Sequence, residues 1–258
     1  MTETFDAIVR RRYTRRDLLR AGAVAAPALL LPDVLLAAAP EAAGLALSFP
    51  PITGSTDDVV RVPPGYDAQV LLRWGDPLFP GAPALDPRGI AAGVLMQPGA
   101  AAAQRRQFGD NCDGLGFFPL QADGRRGLLC VNHEYTNDHL MFPGRREVGP
   151  DGNVRGEWSR QHLEAVRVAM AAHGLSVVEI ELVGESWQPR PGSRYTRRVT
   201  ADTPMEITGP ARGHRLLRTR ADRTGTRVLG TFANCSAGRT PWGTYLTSEE
   251  NFQDYFGG

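Results

Sequence analysis

The sequence predicts a mainly β fold with one or two inserted helices. The apolar segments are mostly short and bounded by turn residues, and the 258-residue chain holds 29 Gly and 20 Pro. Only one stretch shows sustained helical periodicity. A chain of this length can bury a sizeable core as one large domain or two small ones. Because no clean internal repeat is evident, the residues alone leave a sandwich and a propeller open.

The first predicted elements follow an irregular, Pro- and Ala-rich segment at residues 40–65. A Pro-Pro-Gly turn leads into residues 67–74, where three consecutive apolar residues suggest a strand. After a second loop-rich stretch, a short strand is predicted at 117–120 and a buried strand at 127–134. The buried strand runs directly into polar residues, so it is expected to deliver them to one edge of a sheet.

A single helix is predicted over residues 157–173. Leu163, Val166 and Met170 form an apolar stripe at helical spacing, and Gly174 ends it.

Further strands are predicted after this helix. Residues 175–183 alternate apolar and acidic side chains, and residues 227–233 form a second strand that ends at Asn234-Cys235. Between them, residues 184–222 are polar and Arg-rich and are expected to form a long excursion.

The N-terminus carries an export signal. Residues 14–20 hold a twin-arginine pattern, residues 21–31 form an apolar run, and Ala37-Ala38-Ala39 offers a cleavage site. The alternative, an Arg-rich start of a cytosolic helix, does not account for the order of these parts. We therefore predict a signal peptide at 1–39, recognised by the twin-arginine export machinery, and a mature chain at 40–258. The apolar run is too short for a stable membrane span, so the protein is expected in the periplasm or secreted.

Charge and missing motifs exclude several functions. All 29 basic residues are Arg, which rules out a catalytic lysine. Residues 40–258 hold 23 basic and 24 acidic residues, so the mature chain has no electrostatic signature for nucleic acid. The absence of G-x-S-x-G, Walker, G-x-G-x-x-G and CxxC motifs weakens serine hydrolase, nucleotide-binding and thioredoxin interpretations.

Three cysteines, Cys112, Cys130 and Cys235, leave at least one thiol without an internal disulfide partner. Cys130 is interpreted as a core residue, and a pairing of Cys112 with Cys130 stays open.

Chemically, the most informative segment is Asn234–Asn251. It places Cys235 at the end of one strand and Glu249 and Glu250 at the end of the next, after a tight turn. A thiolate beside carboxylates favours a transition metal, and neighbouring carboxylates suit calcium. The alternatives are a buried, apolar Cys235 and a solvated Glu249-Glu250 pair.

Two other segments offer polar groups. Val131–Tyr135 places His133 and Glu134 at the end of the buried strand, and the loop Gly109–Gly114 holds two Asp and one Asn that could supply oxygen ligands. An Asx-type turn is the favoured alternative for that loop. His133 lacks a second histidine at metal-ligand spacing, so we expect it to be hydrogen-bonded.

Together the segments resemble the PhoX family of alkaline phosphatases. The resemblance spans most of residues 48–258 and includes the twin-arginine start; Asn234–Asn251 is its specific part. The supporting segments are Val62–Tyr66, Leu71–Leu78, Phe108–Leu120 and Val131–Tyr135. The resemblance implies a β-propeller and an exported hydrolase of phosphate monoesters.

The resemblance also implies a cofactor and roles for individual residues. It implies ferric iron, Fe(3+), and calcium, Ca(2+), with Cys235 as an iron ligand. Glu250, and next to it Glu249, are implied as metal ligands, and Glu134 is a weaker candidate near the site. Asn234 is implied to face the phosphate as a catalytic residue. The protein is expected to be a monomer.

The chain departs from the family pattern in length. Family members continue beyond this point and supply further carboxylates and a phosphate-binding arginine, whereas this sequence ends just after the Asn234–Asn251 segment. We therefore expect an incomplete propeller, the N-terminal portion of the phosphatase domain, and its activity on its own stays open. A non-catalytic exported binding module and a metal-dependent phosphodiesterase are the alternative functions.

Overall fold

The structure is a computed structural model and describes residues 49–144, 147–150, 154–155 and 162–255. The predicted signal peptide lies outside the described residues. The chain divides into two units, residues 1–68 and 69–258. The described part of the first unit has no regular helix or strand, and Phe49 and Tyr66 meet there edge to face with ring centroids 5.3 Å apart.

Short antiparallel strands dominate the second unit. In chain order they are β1 (Cys112–Pro119), β2 (Arg126–His133), β3 (Glu147–Val148), β4 (Val154–Arg155), β5 (Gly174–Val183), β6 (Ser186–Pro189), β7 (Arg197–Val199), β8 (Pro204–Glu206), β9 (Arg227–Leu229), β10 (Asn234–Arg239) and β11 (Tyr245–Glu249). The α-helices are α1 (Ala100–Gln104), α2 (Asp138–Met141) and α3 (Leu163–Ala172). Short 3-10 helices lie at Pro87–Gly89, Val94–Met96, Arg215–Leu217 and Phe252–Tyr255.

The main sheet has the order β1-β2-β5-β6, and β7 also pairs with β5. The hairpins β3-β4, β8-β9 and β10-β11 form separate two-stranded sheets. Strand β2 is antiparallel to both of its neighbours, with Cys112 opposite His133 and His133 opposite Gly174. The β1-β2 register shifts between Cys112 and Leu115, which marks an irregularity beside the end of β2.

Two apolar clusters stabilise this unit. One packs around β2 and β5, through Leu78, Phe108, Val131, Val178 and Ile180. The other packs around α3, through Leu95, Ala101, Met141, Phe142, Ala165, Val168 and Ala172. The buried face of α3 therefore consists of Ala165, Val168, Ala171 and Ala172. The stripe that the sequence predicted was wrong, because Leu163, Val166 and Met170 are exposed on the other side of the helix.

The mainly β prediction is confirmed, as are the elements that become β2, β5 and α3. The strand predicted within residues 67–74 is absent, because Arg73 and Asp76 close a turn there, in which Gly75 has a left-handed φ of 85°. Leu71 and Leu72 pack on the core from a loop instead. The predicted 184–222 excursion contains β6, β7 and β8. Within the described residues, no helix is long and apolar enough to cross a membrane.

Candidate metal centre

Three half-buried side chains from separate segments converge at one edge of the sheets. Asp113 lies on β1, Glu134 follows β2 directly, and Cys235 lies on β10. One ligand atom from each, two carboxylate oxygens and one sulfur, lies within 4.8 Å of the other two. A thiolate with two carboxylates is a donor set for a transition metal or, through its oxygens, for a hard cation.

The β1-β2 pairing positions the two carboxylates. Cys112 lies opposite His133, and because the strands are antiparallel Asp113 and Glu134 follow this pair in opposite directions, as diagonal neighbours whose carboxyl groups hydrogen-bond. The Glu134 amide donates a hydrogen bond of 3.0 Å to the Asn111 carbonyl, which extends the contact beyond the last sheet pair.

Strand β10 reaches this edge because β1 carries Gly114. A Cβ at position 114 would lie 2.5 Å from the Cys235 carbonyl oxygen, closer than side chains tolerate. The sequence predicted Cys235 at the end of the preceding strand, but Cys235 is the second residue of β10. Strand β9 stops at Leu229, and a loop with a left-handed Ala233 intervenes.

The β10-β11 hairpin separates the two glutamates. Asn234 lies opposite Glu249, and the Glu250 amide donates to the Ala233 carbonyl at 2.7 Å. The Glu250 side chain hydrogen-bonds with the Cys235 thiol. Glu249 Oε1 instead accepts from Thr231 Oγ1 at 3.0 Å and supports the loop before β10. Of the two predicted glutamates, Glu250 is therefore the one beside the sulfur.

The charges of the cluster favour a cation. Hydrogen bonds with Glu250 and Asp113, together with burial, raise the pKa of the Cys235 thiol to about 12. Burial and the neighbouring Asp113 also raise the pKa of Glu134. Burial and the neighbouring acidic groups thus disfavour the ionised forms of Cys235 and Glu134, and a bound cation would reverse that effect. The residues present thus fit a metal ion.

Asn234 is fully buried behind the cluster. Its Nδ2 donates to Thr231 Oγ1 at 2.8 Å and to Thr247 Oγ1 at 2.9 Å. Both amide hydrogens are therefore engaged, one by the loop before β10 and the other by β11. In this arrangement Asn234 fixes the start of β10, and a phosphate contact would require its amide to turn.

His133 is a buried, hydrogen-bonded histidine, as predicted. Its Nε2 accepts from the Gly109 amide at 3.3 Å and from Ser176 Oγ at 2.7 Å, while Nδ1 donates to the Asp110 carbonyl at 3.0 Å. Burial, the first cause, and the positive charge of Arg198 lower the pKa of His133 well below its ordinary value, so it is neutral. It anchors the loop that leads to Asp113.

The loop Gly109–Gly114 supplies one ligand and one structural contact. Asp110 Oδ2 accepts from the Asn137 amide at 2.9 Å, which ties this loop to the start of α2 and is not the local Asx-type turn that was predicted. Asp113 joins the metal cluster, although the sequence argument did not single it out from its neighbours. All three cysteines are free: Cys112 is exposed, Cys130 buried and Cys235 half-buried.

A thiol and carboxylates held at the ends of antiparallel strands define a β protein with a candidate metal centre. The model of the alkaline phosphatase PhoX family matches residues 47–258, and the chain belongs to that family. No curated protein matches the chain.

The chain is similar to a solved structure of PhoX from Pseudomonas fluorescens in complex with vanadate, a transition-state analogue. The two share 44% identity with a TM-score of 0.68. The similarity covers 81% of this chain and 33% of that chain, so this chain spans about a third of its length. The predicted family and the propeller-like fold class are confirmed.

Proposed function

We propose that this chain is the N-terminal portion of an exported, metal-dependent phosphatase that hydrolyses phosphate monoesters. The observation that carries the proposal is the convergence of Asp113, Glu134 and Cys235 in a chain of the PhoX family. The relative solved with a transition-state analogue supports a phosphoryl-transfer reaction.

In this proposal, Cys235, Asp113, Glu134 and Glu250 would hold the metals, with the Cys235 sulfur suited to Fe(3+) and the carboxylate oxygens suited to Fe(3+) or Ca(2+). Clustered cations neutralise phosphate oxygens and lower the pKa of a bound nucleophile. The chain's own task is to keep a thiolate and three carboxylates close together, which their mutual repulsion opposes.

Two predicted residues take different places in this scheme. Glu249 supports the loop before β10, and its role as a metal ligand stays a prediction, second to Glu250. The phosphate contact of Asn234 also stays a prediction, since its amide is bound to Thr231 and Thr247.

Export is part of the proposal. The twin-arginine pattern in residues 1–39 supports a route that moves folded proteins, and a protein loaded with metal before export requires such a route. The mature protein would then act in the periplasm or outside the cell.

The test compares cysteine variants of the chain. Wild type, Cys235→Ser and the exposed-cysteine control Cys112→Ser are purified and analysed for iron and calcium, and each is assayed on an aryl phosphate monoester and the matching diester. We expect iron in wild type and Cys112→Ser, and loss of iron in Cys235→Ser. Any hydrolysis should favour the monoester and disappear with the iron.

The outcomes separate the alternatives. A wild-type chain that is folded but holds neither iron nor calcium would contradict the metal-dependent proposal and favour a binding module. Preference for the diester would favour a phosphodiesterase. Iron retained by Cys235→Ser would remove Cys235 from the ligand set.

A further inference from the structure

One buried polar network touches all three segments that supply the candidate ligands. Asn132 lies on β2 two residues before Glu134 and is fully buried. Its Nδ2 donates to the Cys235 carbonyl at 2.9 Å and to the Ser236 carbonyl at 3.1 Å. The Asn132 side chain on β2 is therefore hydrogen-bonded to the backbone of β10 at Cys235.

Tyr245 completes the network from β11. Its hydroxyl lies 2.9 Å from Asn132 Oδ1 and 3.0 Å from the Gly114 carbonyl oxygen, so its single proton is shared between these two acceptors. Gly114 follows Asp113 directly on β1. The amide of Asn132 is thus oriented by the Tyr245 hydroxyl, and the hydroxyl is fixed against β1.

Strand β1 is shaped to receive this contact. Gly114 and Gly116 are two residues apart, so they lie on the same face of the strand. A Cβ at Gly116 would lie 2.9 Å from the Tyr245 ring, and one at Gly114 would lie 2.5 Å from the Cys235 carbonyl oxygen. The missing side chain of Gly114 therefore makes room for the β10 backbone, and that of Gly116 makes room for the Tyr245 ring.

We propose that Asn132 and Tyr245 are positioning residues that hold Cys235 beside Asp113 and Glu134 and so set the affinity of the metal centre. The inference rests on the proposed function. Neither side chain contributes a ligand atom to the cluster; they act through the Cys235 and Gly114 carbonyls. Groups that orient metal ligands typically change metal affinity by roughly 10- to 100-fold when they are removed.

A second contact attaches the same hairpin to β1 and provides a control. The Arg239 guanidinium donates to the Phe117 carbonyl and lies over the Phe118 ring, 5.3 Å from its centroid. Arg239 lies opposite Tyr245 in the β10-β11 register, so Arg239→Gln loosens the hairpin beside the network but removes none of the hydrogen bonds of Asn132 and Tyr245. Tyr195→Phe removes a tyrosine hydroxyl elsewhere, one that accepts from Arg194.

The experiment uses the full chain with Tyr245→Phe, Asn132→Ala and the two controls. Iron affinity of the metal-free proteins is measured by competition with a chelator, and amide hydrogen exchange of β10 is measured without metal. We expect Tyr245→Phe to weaken iron binding about 10-fold, and Asn132→Ala by more. Both should speed exchange of β10 amides by about 10-fold, whereas Tyr195→Phe should change neither quantity.

Arg239→Gln separates positioning from simple attachment: it should speed β10 exchange while iron affinity stays within about 3-fold of wild type. Wild-type iron affinity in Tyr245→Phe would overturn the inference, as would equal losses of affinity in Tyr245→Phe and Arg239→Gln. If the wild type binds no iron, the proposed function fails, and unchanged β10 exchange in Tyr245→Phe and Asn132→Ala would then refute the network separately.

Discussion

Replacing His133 tests how the buried histidine stabilises the loop beside the candidate site. The imidazole is fully buried and neutral, and its Nε2 accepts hydrogen bonds from the Gly109 amide and the Ser176 hydroxyl. A proton on Nε2 would oppose both donors. Burial lowers the pKa of His133 well below its ordinary value of 6.5. Below pH 6.5 this histidine is therefore protonated in the unfolded chain but still neutral in the folded chain.

The size of the effect follows from that difference in bound protons. The contribution of His133 to the free energy of unfolding has its full value above pH 6.5 and decreases by about 1.4 kcal/mol for each pH unit below it. Between pH 7 and pH 5 the loss is therefore about 2 kcal/mol. His133→Asn is expected to destabilise the chain by about 2–4 kcal/mol at pH 7, through lost hydrogen bonds and ring packing. That penalty should shrink by about 2 kcal/mol at pH 5.

Urea unfolding followed by circular dichroism at pH 7, 6 and 5 measures both quantities. His173, whose pKa burial also lowers, is present in both proteins and cancels in the difference. Should His133→Asn fail to fold, Ser176→Ala keeps the imidazole and removes one donor to Nε2, at a cost of about 1 kcal/mol at pH 7 that decreases in acid. A difference between variant and wild type that is the same at pH 7 and pH 5 would refute the neutral, buried state.

Two further substitutions test the packing and the charges of the sheet. Gly114→Ala should abolish iron binding because its Cβ would press on the Cys235 carbonyl, whereas Gly238→Ala, with no neighbour closer than 4.0 Å, should retain it; elemental analysis showing iron in both would contradict this. Glu179 is 3% exposed and accepts from Arg126 Nε at 2.5 Å. Burial alone raises the pKa of Glu179, but its hydrogen bonds lower it overall, so its stabilisation is present above pH 4.3 and is lost as the pH falls below that value. Glu179→Gln should cost about 1–3 kcal/mol at pH 7 in urea unfolding and less at pH 3, and equal stabilities at pH 7 would count against the ion pair.

The sequence predicted best those elements whose apolar residues recur at the spacing of a strand or a helix. The apolar run of β2 and the helical spacing of apolar residues in α3 made the positions of these two elements predictable. The buried face of α3 was not predicted, because small residues such as Ala165 and Ala172 face the core while the larger Leu163 and Met170 are exposed. Residues 67–74 were not, because Leu71 and Leu72 are buried by contacts with distant residues while the local backbone follows a turn. Apolar residues indicate that a segment is buried, but they can be buried from a loop as well as from a strand.

The candidate site was predictable where chemistry alone identified residues. Cys235, Glu134 and Glu250 are unusual residue types at strand ends, and the structure brings them together. Asp113 was not separable from Asp110, because both lie in a loop of turn-forming composition. The distinction depends on β10 lying against β1, between residues more than 100 positions apart, as where Gly114 meets the Cys235 carbonyl oxygen. No local pattern encodes such a pairing.

The backbone conformation of Ala233 gives a last test of how the site is built. Among the described residues three non-glycine residues have left-handed φ, and each lies within two positions of a proposed ligand: Asn111, Ala233 and Asn251. Asn adopts this conformation readily, but for Ala it costs about 1–2 kcal/mol. Ala233 is 3% exposed, so the burial of its methyl group offsets part of the free energy of that strain.

Ala233→Gly removes the strain, loses about 0.8 kcal/mol of methyl burial and adds about 0.4–1 kcal/mol of unfolded-state entropy. These effects nearly cancel, so the free energy of unfolding should change by less than about 1 kcal/mol. Ala165→Gly, a fully buried control in α3, has no strain to relieve and should cost about 2 kcal/mol. Urea unfolding of both variants measures the contrast. Equal losses would mean that position 233 stores no strain, and the left-handed turn before Cys235 would then be an ordinary loop conformation.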